Sequence, residues 1–244
     1  FELIYTHSDH VERELGAAIA AFQPDGVIVT PPHSENPQIT GLLAENGIPF
    51  ARIGSKEDGP GIAMTMGDEL LAGKATDHLI ELGHMRIGFI AGPDEYSLAG
   101  WRTDGWREAM GNAELDCEDL LEQGDFGFES GLAAAQALLD RENPPTAIIA
   151  SSDQMALAAL DVAKERGLHV PRDLSIVSFD NTPIVRFATP SLTAVDQPIA
   201  RTAARAVELL IDFNKHGAPQ APVVVEGELI VRASTARAPT RSCT

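Results

Sequence analysis

The segment PTAIIASSDQMALAALDVAKERG at positions 145–167 decides the fold. It begins with a short apolar run, Ala147–Ala150, of the kind that is buried on both faces of a parallel sheet. A polar turn follows, and Gln154–Arg166 then places apolar side chains at helical spacing. Asp153 is well placed to cap this helix and Gly167 to end it. The segment therefore predicts a strand, a turn and a helix, which is one unit of a parallel α/β fold.

The same alternation continues along the chain. Short apolar or β-branched runs predict strands at Phe1–Tyr5, Gly26–Thr30, Pro49–Ile53, Arg86–Ala91, Ser175–Phe179, Val223–Glu226 and Glu228–Arg232. Amphipathic stretches predict helices at Val11–Phe22, Gly67–Leu82, Arg102–Met110, Phe128–Leu139 and Ile199–His216. The pattern indicates two similar α/β halves that meet near Gly92. Because the chain opens with what is typical of a second unit, we expect a first strand and helix to be missing.

Composition excludes several classes of protein. The 244 residues are 44% hydrophobic, and no apolar run approaches the roughly 20 residues of a membrane-spanning helix. The first residues lack a basic segment and a cleavage site, so the sequence predicts no export signal. Cys117 and Cys243 indicate neither a disulfide framework nor a metal site, which fits a reducing cytoplasm. The formal net charge of −18 opposes binding to nucleic acid phosphates, so any DNA binding requires another segment.

Motifs of enzymes and cofactor sites are absent from the sequence. The glycine-rich segment GDFGFESG at 124–131 has neither dinucleotide-binding nor P-loop spacing, and its Ser130–Gly131 pair lacks the context of a nucleophile elbow. His7 and His10 could share a metal ion, but no third ligand is near in sequence, and a solvated turn is the simpler interpretation. The sequence therefore predicts no enzyme, no cofactor and no metal site.

Several segments together carry a resemblance to a known family. They are ATDHLIELGHMRIGFIAG at 75–92, RTDGW at 102–106, PTAIIASSDQMAL at 145–157, VPRDLSIVSFDN at 170–181, TPSLTAVDQP at 189–198, and ELIVR with AST at 228–235. In this order they resemble the effector-binding core of the lactose/galactose-repressor family of bacterial transcription regulators, from about Gly67 onward. In the first segment, the resemblance implies that His84 ties down the turn after a helix.

The resemblance implies an α/β fold with two doubly wound parallel-sheet lobes of the periplasmic-binding-protein-like type I, joined by three hinge crossovers. We expect these crossovers near Gly92, near Val195–Pro198 and near Pro222. The expected N-terminal lobe is 1–91 with about 198–221, the C-terminal lobe is 92–197 with about 222–238, and the tail is 239–244.

The family places a small effector between the lobes, with Arg102 and Asp180 as the main polar contacts. An arginine in the first turn of a helix is unfavourable beside the positive end of the helix dipole. A guanidinium that binds the effector explains Arg102 better than a surface arginine paired with Asp104 or Glu95. Asp180 follows a predicted strand and could accept two hydroxyl hydrogen bonds. The alternative is that Asp180 holds the following loop.

Three further residues complete the expected site. The resemblance implies that Phe126 stacks on a sugar or base ring, and the alternative is a helix-entry staple. Ser152 follows the carboxyl end of a strand, where open α/β sheets bind ligands. Many relatives carry asparagine at that position, and the shorter serine hydroxyl makes fewer hydrogen bonds. Asp153 is interpreted as a helix cap rather than a contact, and Gln197 as lining the cleft.

In function, the resemblance implies a cytoplasmic, ligand-responsive regulator that forms a homodimer. Effector binding would shift the balance between lobe arrangements and thereby the spacing of two helix-turn-helix heads on operator DNA. We expect these heads to be absent from this sequence. Arg102 and Asp180 suggest a carbohydrate effector. The main alternative is a periplasmic solute-binding protein of a sugar transporter, which would need an export signal; a second is a small α/β hydrolase, which would need a nucleophile–base pair.

Overall fold

A computed structural model describes residues 11–219 and 221–239. The predicted strand at Phe1–Tyr5 lies outside the described residues. The same is true of His7, His10 and Cys243. The described elements in chain order are α1 (Val11–Phe22), β1 (Val27–Val29), α2 (Pro37–Glu45), β2 (Phe50–Ile53), β3 (Ile62–Thr65), α3 (Asp68–Glu81), β4 (Ile87–Ala91), α4 (Ser97–Asn112), β5 (Leu121–Gln123), α5 (Phe128–Leu139), β6 (Ala147–Ala150), α6 (Asp153–Glu165), β7 (Ser175–Asp180), α7 (Pro183–Phe187), β8 (Thr193–Asp196), α8 (Ile199–His216), β9 (Val223–Val224) and β10 (Glu228–Ile230).

This architecture confirms the predicted α/β class, because helices alternate with strands of two largely parallel sheets. The described residues form two compact units. Unit 1 contains the described residues up to Met66 together with Pro198–Glu226, and unit 2 contains Gly67–Gln197 together with the described residues from Gly227 onward.

Unit 1 is built on a four-stranded parallel sheet with the strand order β1-β2-β3-β9. Two apolar clusters pack in this unit. One joins Leu15 of α1 to Leu43 of α2 and Phe50, and the other joins Ile62 and Met64 to residues of α8. Helix α2 begins where the Asn36 side chain accepts a hydrogen bond from the amide of Gln38, with Pro37 at the first helical position.

Unit 2 is built on a six-stranded sheet with the order β10-β8-β7-β6-β4-β5. All neighbouring strands are parallel except β10 and β8, which are antiparallel. Every residue of β4 and β6 is buried, as expected for central strands covered by helices on both faces. Because β4, β6, β7 and β8 run in the same direction, their carboxyl ends meet at one edge of the sheet. We call this the carboxyl edge; the loops after these strands begin at Gly92, Ser151, Asn181 and Gln197.

Helices α3 and α4 of unit 2 pack closely. Gly105 makes this possible, because a Cβ at position 105 would overlap the backbone carbonyl of Glu69. The indole of Trp106 then stacks on Phe89 with ring centroids 5.4 Å apart and donates a hydrogen bond to the carbonyl of Ile87. The Gly-aromatic pair of the RTDGW segment therefore fixes α4 against both α3 and the sheet.

The division into units corrects one predicted boundary. The sequence places residues 67–91 in the N-terminal lobe with a crossover near Gly92, whereas the structure places them in unit 2. The physical reason is strand pairing, because β4 hydrogen-bonds to β5 on one side and β6 on the other. The first crossing therefore lies at Met66–Gly67. The other two lie at Gln197–Pro198 and Glu226–Gly227, against expected positions near Val195–Pro198 and Pro222.

Candidate functional site

Arg102 lies at the centre of a buried polar group in unit 2. Its side chain is 3% exposed and projects from the second turn of α4. The prediction that Arg102 lies in the first turn is wrong, because the helix begins at Ser97, so the predicted conflict with the helix dipole does not arise. Its Nε donates to Oδ1 of Asp68 at 2.8 Å, and its Nη1 donates to the carbonyl of Ser151 at 2.7 Å. The alternative of a surface arginine paired with Asp104 or Glu95 is wrong, because the side chain of Arg102 is buried. Oδ1 of Asp104 lies instead 3.8 Å from Nη1 of Arg107. Neither of these two hydrogen bonds uses Nη2 of Arg102.

Asp68 belongs to this buried polar group and was not predicted from the sequence. It is the first residue of α3, where a carboxylate is favoured by the positive end of the helix dipole. Its Oδ1 accepts hydrogen bonds from both Arg102 and Gln197, the latter from Nε2 at 2.8 Å. Its Oδ2 is buried and has no hydrogen-bond partner in the described part of the chain. Arg102 and Gln197 are thus brought together by one carboxylate that keeps an acceptor unused.

Aromatic rings surround the guanidinium of Arg102. Its Cζ lies 4.5 Å from the ring centroid of Phe179 and 5.9 Å from that of Phe126. The ring of Tyr96 meets Phe126 edge-on, with centroids 5.4 Å apart. These contacts are cation–π and edge-to-face interactions, which favour a fixed arrangement of the charged group and the rings.

Asp180 lies beside this group at the end of β7. Its backbone φ of +98° is left-handed, as is that of Asn181 at +58°. Burial raises the pKa of Asp180 to about 6, with further contributions from the negative charges of Asp153 and Asp68, while the positive charge of Arg102 acts in the opposite direction. Strained backbone and a buried carboxylate at the carboxyl edge are features that functional sites commonly combine.

The loop after β7 is held by other side chains than that of Asp180. Oδ2 of Asp153 accepts hydrogen bonds from both the amide and the hydroxyl of Thr182, each at 2.6 Å. The side-chain Nδ2 of Asn181 donates to Oδ1 of Asp196 at 2.6 Å, and the side-chain Oδ1 of Asn181 accepts from Nη2 of Arg232. Asp153 and Asn181 therefore hold this loop, and the role of Asp180 itself stays a prediction.

The cap of α6 differs from the sequence prediction. Ser152, not Asp153, is the N-cap, because its Oγ accepts a hydrogen bond from the amide of Met155 at 3.1 Å. The prediction that Asp153 caps the helix is wrong by one position, and Asp153 is instead the first helical residue. The same Ser152 hydroxyl donates to the carbonyl of Phe126 at 2.8 Å. Oδ1 of Asp153 is buried without a hydrogen-bond partner among the described residues.

His84 has the structural role expected of it. The imidazole is 1% exposed and lies within hydrogen-bond distance of Thr146, Ser175 and the carbonyl of Ala236. Burial lowers its pKa, which favours the neutral form of the ring. It ties the turn after α3 to the starts of β6 and β7, away from the carboxyl edge.

No group of three or more His, Cys, Asp or Glu side chains among the described residues is arranged to hold a metal ion. No helix within 11–219 or 221–239 combines the length and apolar character needed to cross a membrane.

Known proteins share this fold and these segments. A family described as a periplasmic binding protein-like domain matches residues 76–235. The transcriptional repressor CytR of Escherichia coli (strain K12) is 41% identical over 167 residues, which are 68% of this chain and 49% of CytR. The structure of the transcriptional regulator CelR in complex with cellobiose superposes with a TM-score of 0.83 at 33% identity, covering 93% of this chain and 71% of CelR.

A second solved structure, a regulatory protein of the LacI family from Chloroflexus aggregans, superposes with a TM-score of 0.85 at 30% identity, covering 95% of this chain and 84% of that protein. The fold and the match at 76–235 define a periplasmic-binding-protein-like effector domain. The chain belongs to the LacI family of transcription regulators, the lactose/galactose-repressor family that the sequence resembles. It spans about half the length of CytR.

Proposed function

We propose that this chain is the effector-binding core of a transcription regulator and that it binds a small sugar at the carboxyl edge of unit 2. The observation that carries this proposal is the buried pair of Arg102 and Asp68, in which Oδ2 of Asp68 is buried and has no hydrogen-bond partner among the described residues. A buried polar atom without a partner is costly, so a ligand that supplies one is favoured.

The chemistry of the edge suits a neutral ligand that is rich in hydroxyl groups. A hydroxyl can accept from Nη2 of Arg102 and donate to the carboxylates of Asp68 and Asp180. The ring of Phe126 offers an apolar face for the carbon skeleton, and Gln197 holds Asp68 in place. The solved structure of CelR is a complex with cellobiose, and this supports a carbohydrate as the ligand of the present chain.

We infer three wider properties from the family. The net charge of −18 opposes contact with DNA by these residues, so DNA is bound by a helix-turn-helix segment of the whole regulator. The regulator is a cytoplasmic homodimer, and the oligomeric state is checked by sedimentation of the purified chain. Because the related proteins are named as transcription regulators, we propose regulation rather than solute transport, and binding of the effector without its conversion.

A ligand screen tests the core of this proposal. The 244-residue chain is heated with individual sugars, sugar phosphates, nucleobases and amino acids, and unfolding is followed by fluorescence. A ligand present at 100 times its dissociation constant adds about 2.7 kcal/mol to the free energy of unfolding. We expect a hit among neutral sugars that disappears in Asp180→Asn and persists in Arg205→Ala, whose side chain is exposed. A hit only among anionic ligands, or one that Asp180→Asn leaves unchanged, contradicts the proposed site.

A further inference from the structure

The single hydroxyl proton of Ser152 is used in a hydrogen bond within the protein. The side chain is 5% exposed, its one hydroxyl proton is donated to the carbonyl of Phe126, and its oxygen accepts from the amide of Met155. A serine hydroxyl has a single proton to donate. Ser152 therefore has no donor left for an effector, although the sequence analysis assigned it as a contact.

The backbone of Phe126 is in a conformation that needs support. Its φ is +68°, which is left-handed and uncommon for a residue with a side chain. The turn on either side is fixed locally, because Asp125 accepts hydrogen bonds from Gly127 and Ser130. The bond from Ser152 comes instead from the start of α6, a separate element, and it acts on the carbonyl of Phe126 itself.

The ring of Phe126 has little freedom to shift. It lies directly on the backbone of Gly92, where a Cβ would overlap Cε1 and Cζ of the ring. Tyr96 meets its edge, and the guanidinium of Arg102 lies on another side. A change at the carbonyl of Phe126 is therefore passed to the position of the ring relative to Gly92, Tyr96 and Arg102.

We propose that Ser152 is a positioning residue that holds the left-handed backbone of Phe126 and thereby sets the ring that an effector meets. The placement of the ring is inferred only from the contacts of Ser152 and Phe126 described above. Its consequence for the effector rests on the proposed function.

Fluorine NMR of the chain labelled with 4-fluorophenylalanine tests the placement without any ligand. The chain contains nine phenylalanines, and Phe126→Leu identifies the signal of Phe126 by its loss. Three variants separate the two roles of Ser152. Ser152→Thr keeps the cap and the donor, Ser152→Asp keeps the cap but removes the donor, and Ser152→Ala removes both.

We expect the Phe126 signal to keep its wild-type position in Ser152→Thr and to move or broaden in Ser152→Asp and Ser152→Ala. The matched control is Asn36→Ala, which removes the cap of α2 in unit 1 and is expected to leave the signal unchanged. A Phe126 signal at its wild-type position in folded Ser152→Asp overturns the proposal, because Ser152 would then act only as a helix cap.

A double-mutant cycle tests the consequence for an effector found in the screen. If Ser152 acts through the ring, Ser152→Ala weakens binding in the wild type and has no further effect in Phe126→Ala. Losses that multiply in the double variant identify Ser152 as a direct contact and overturn the positioning role. Failure to find an effector counts against the proposed function, whereas the fluorine spectra decide the placement of the ring in either case.

Discussion

The carboxylate of Asp68 and the guanidinium of Arg102 form an ion pair with 2.8 Å between Oδ1 and Nε, and the two side chains are 0% and 3% exposed. The pair joins the start of α3 to α4. Two opposite charges in this environment compensate each other, whereas either one alone would be a buried charge without a counterion. The stability of unit 2 and the chemistry of its carboxyl edge therefore depend on the same two residues.

Removing one partner of this pair should be more harmful than removing both charges. We expect Arg102→Ala to lower the free energy of unfolding by about 3 to 5 kcal/mol, because the buried Asp68 carboxylate loses its counterion. Addition of Asp68→Asn to that variant should restore part of the loss, because a neutral amide needs no counterion. Urea denaturation of the wild type, both single variants and the double variant measures this coupling. Strictly additive losses would contradict an energetic link between the two residues.

Effector binding should depend on both Arg102 and Asp180. We expect Arg102→Ala and Asp180→Ala each to weaken binding of the effector by about 2 to 4 kcal/mol, since each removes a buried, charge-assisted hydrogen bond. Titration calorimetry with the ligand from the screen measures the change. Arg205→Ala, on the exposed face of α8, serves as the control and should bind as the wild type does. Unchanged affinity in both site variants would remove them from the site.

The pKa of Asp180 predicts opposite effects of pH on stability and on binding. Its pKa is raised from 3.8 to about 6 in the folded chain, so between these values the folded state holds more protons than the unfolded state. Stability contributed by this group is therefore highest at low pH and falls as the pH rises towards 6, by at most about 3 kcal/mol. In the proposed site the effector donates to the carboxylate of Asp180, so binding should weaken as the pH falls below about 6.

Asp180→Asn isolates this contribution, because the other titrating groups remain. Denaturation of both proteins at several values between pH 4 and 7.5 gives the difference in unfolding free energy. We expect the variant to gain stability relative to the wild type as the pH rises, since it carries no charge at position 180. Asp153, Asp68 and Arg102 face the group and influence its pKa, and all three are present in both proteins. A difference that is constant across this range would contradict the raised pKa.

Much of the fold could be predicted from the sequence, for a physical reason. The central strands of unit 2 are buried on both faces, so they are continuous apolar runs that need no alternation to be found. Strands β3 and β5 were not predicted from the sequence. Helix α2 was missed too, although Asn36 followed by Pro37 is a helix start signal. The boundary at Gly92 was misplaced because the sequence does not show which sheet β4 joins.

The site was predicted less completely than the fold. Arg102, Asp180, Phe126, Ser152 and Gln197 could be named only through the resemblance. Asp68 was missed because its partner lies 34 residues away, and nothing local marks a carboxylate at a helix start as buried. The cap of α6 was assigned to Asp153 instead of Ser152 because the start of a helix cannot be placed to a single residue from its sequence pattern.

Gly105 and Gly100 provide a matched pair within α4 for the last prediction. Both are helical glycines, and alanine at an open helical position is favoured by about 1 kcal/mol. Nothing lies within 4 Å of a Cβ at position 100, so Gly100→Ala should be neutral or stabilising. A Cβ at position 105 overlaps the backbone carbonyl of Glu69, which cannot move without separating α3 from α4. We expect Gly105→Ala to lower the free energy of unfolding by roughly 2 kcal/mol, which denaturation in urea measures.

The same substitution should also reach the site, because Arg102 is on α4 and Asp68 is on α3. When the two helices separate, the 2.8 Å contact between Nε and Oδ1 lengthens, and Nη2 of Arg102 moves away from where a hydroxyl of the effector is held. Gly105→Ala should therefore weaken effector binding at least tenfold while Gly100→Ala leaves it unchanged. Equal affinities in these two variants, with Gly105→Ala still destabilised, would show that the α3–α4 contact supports the fold without setting the position of Arg102.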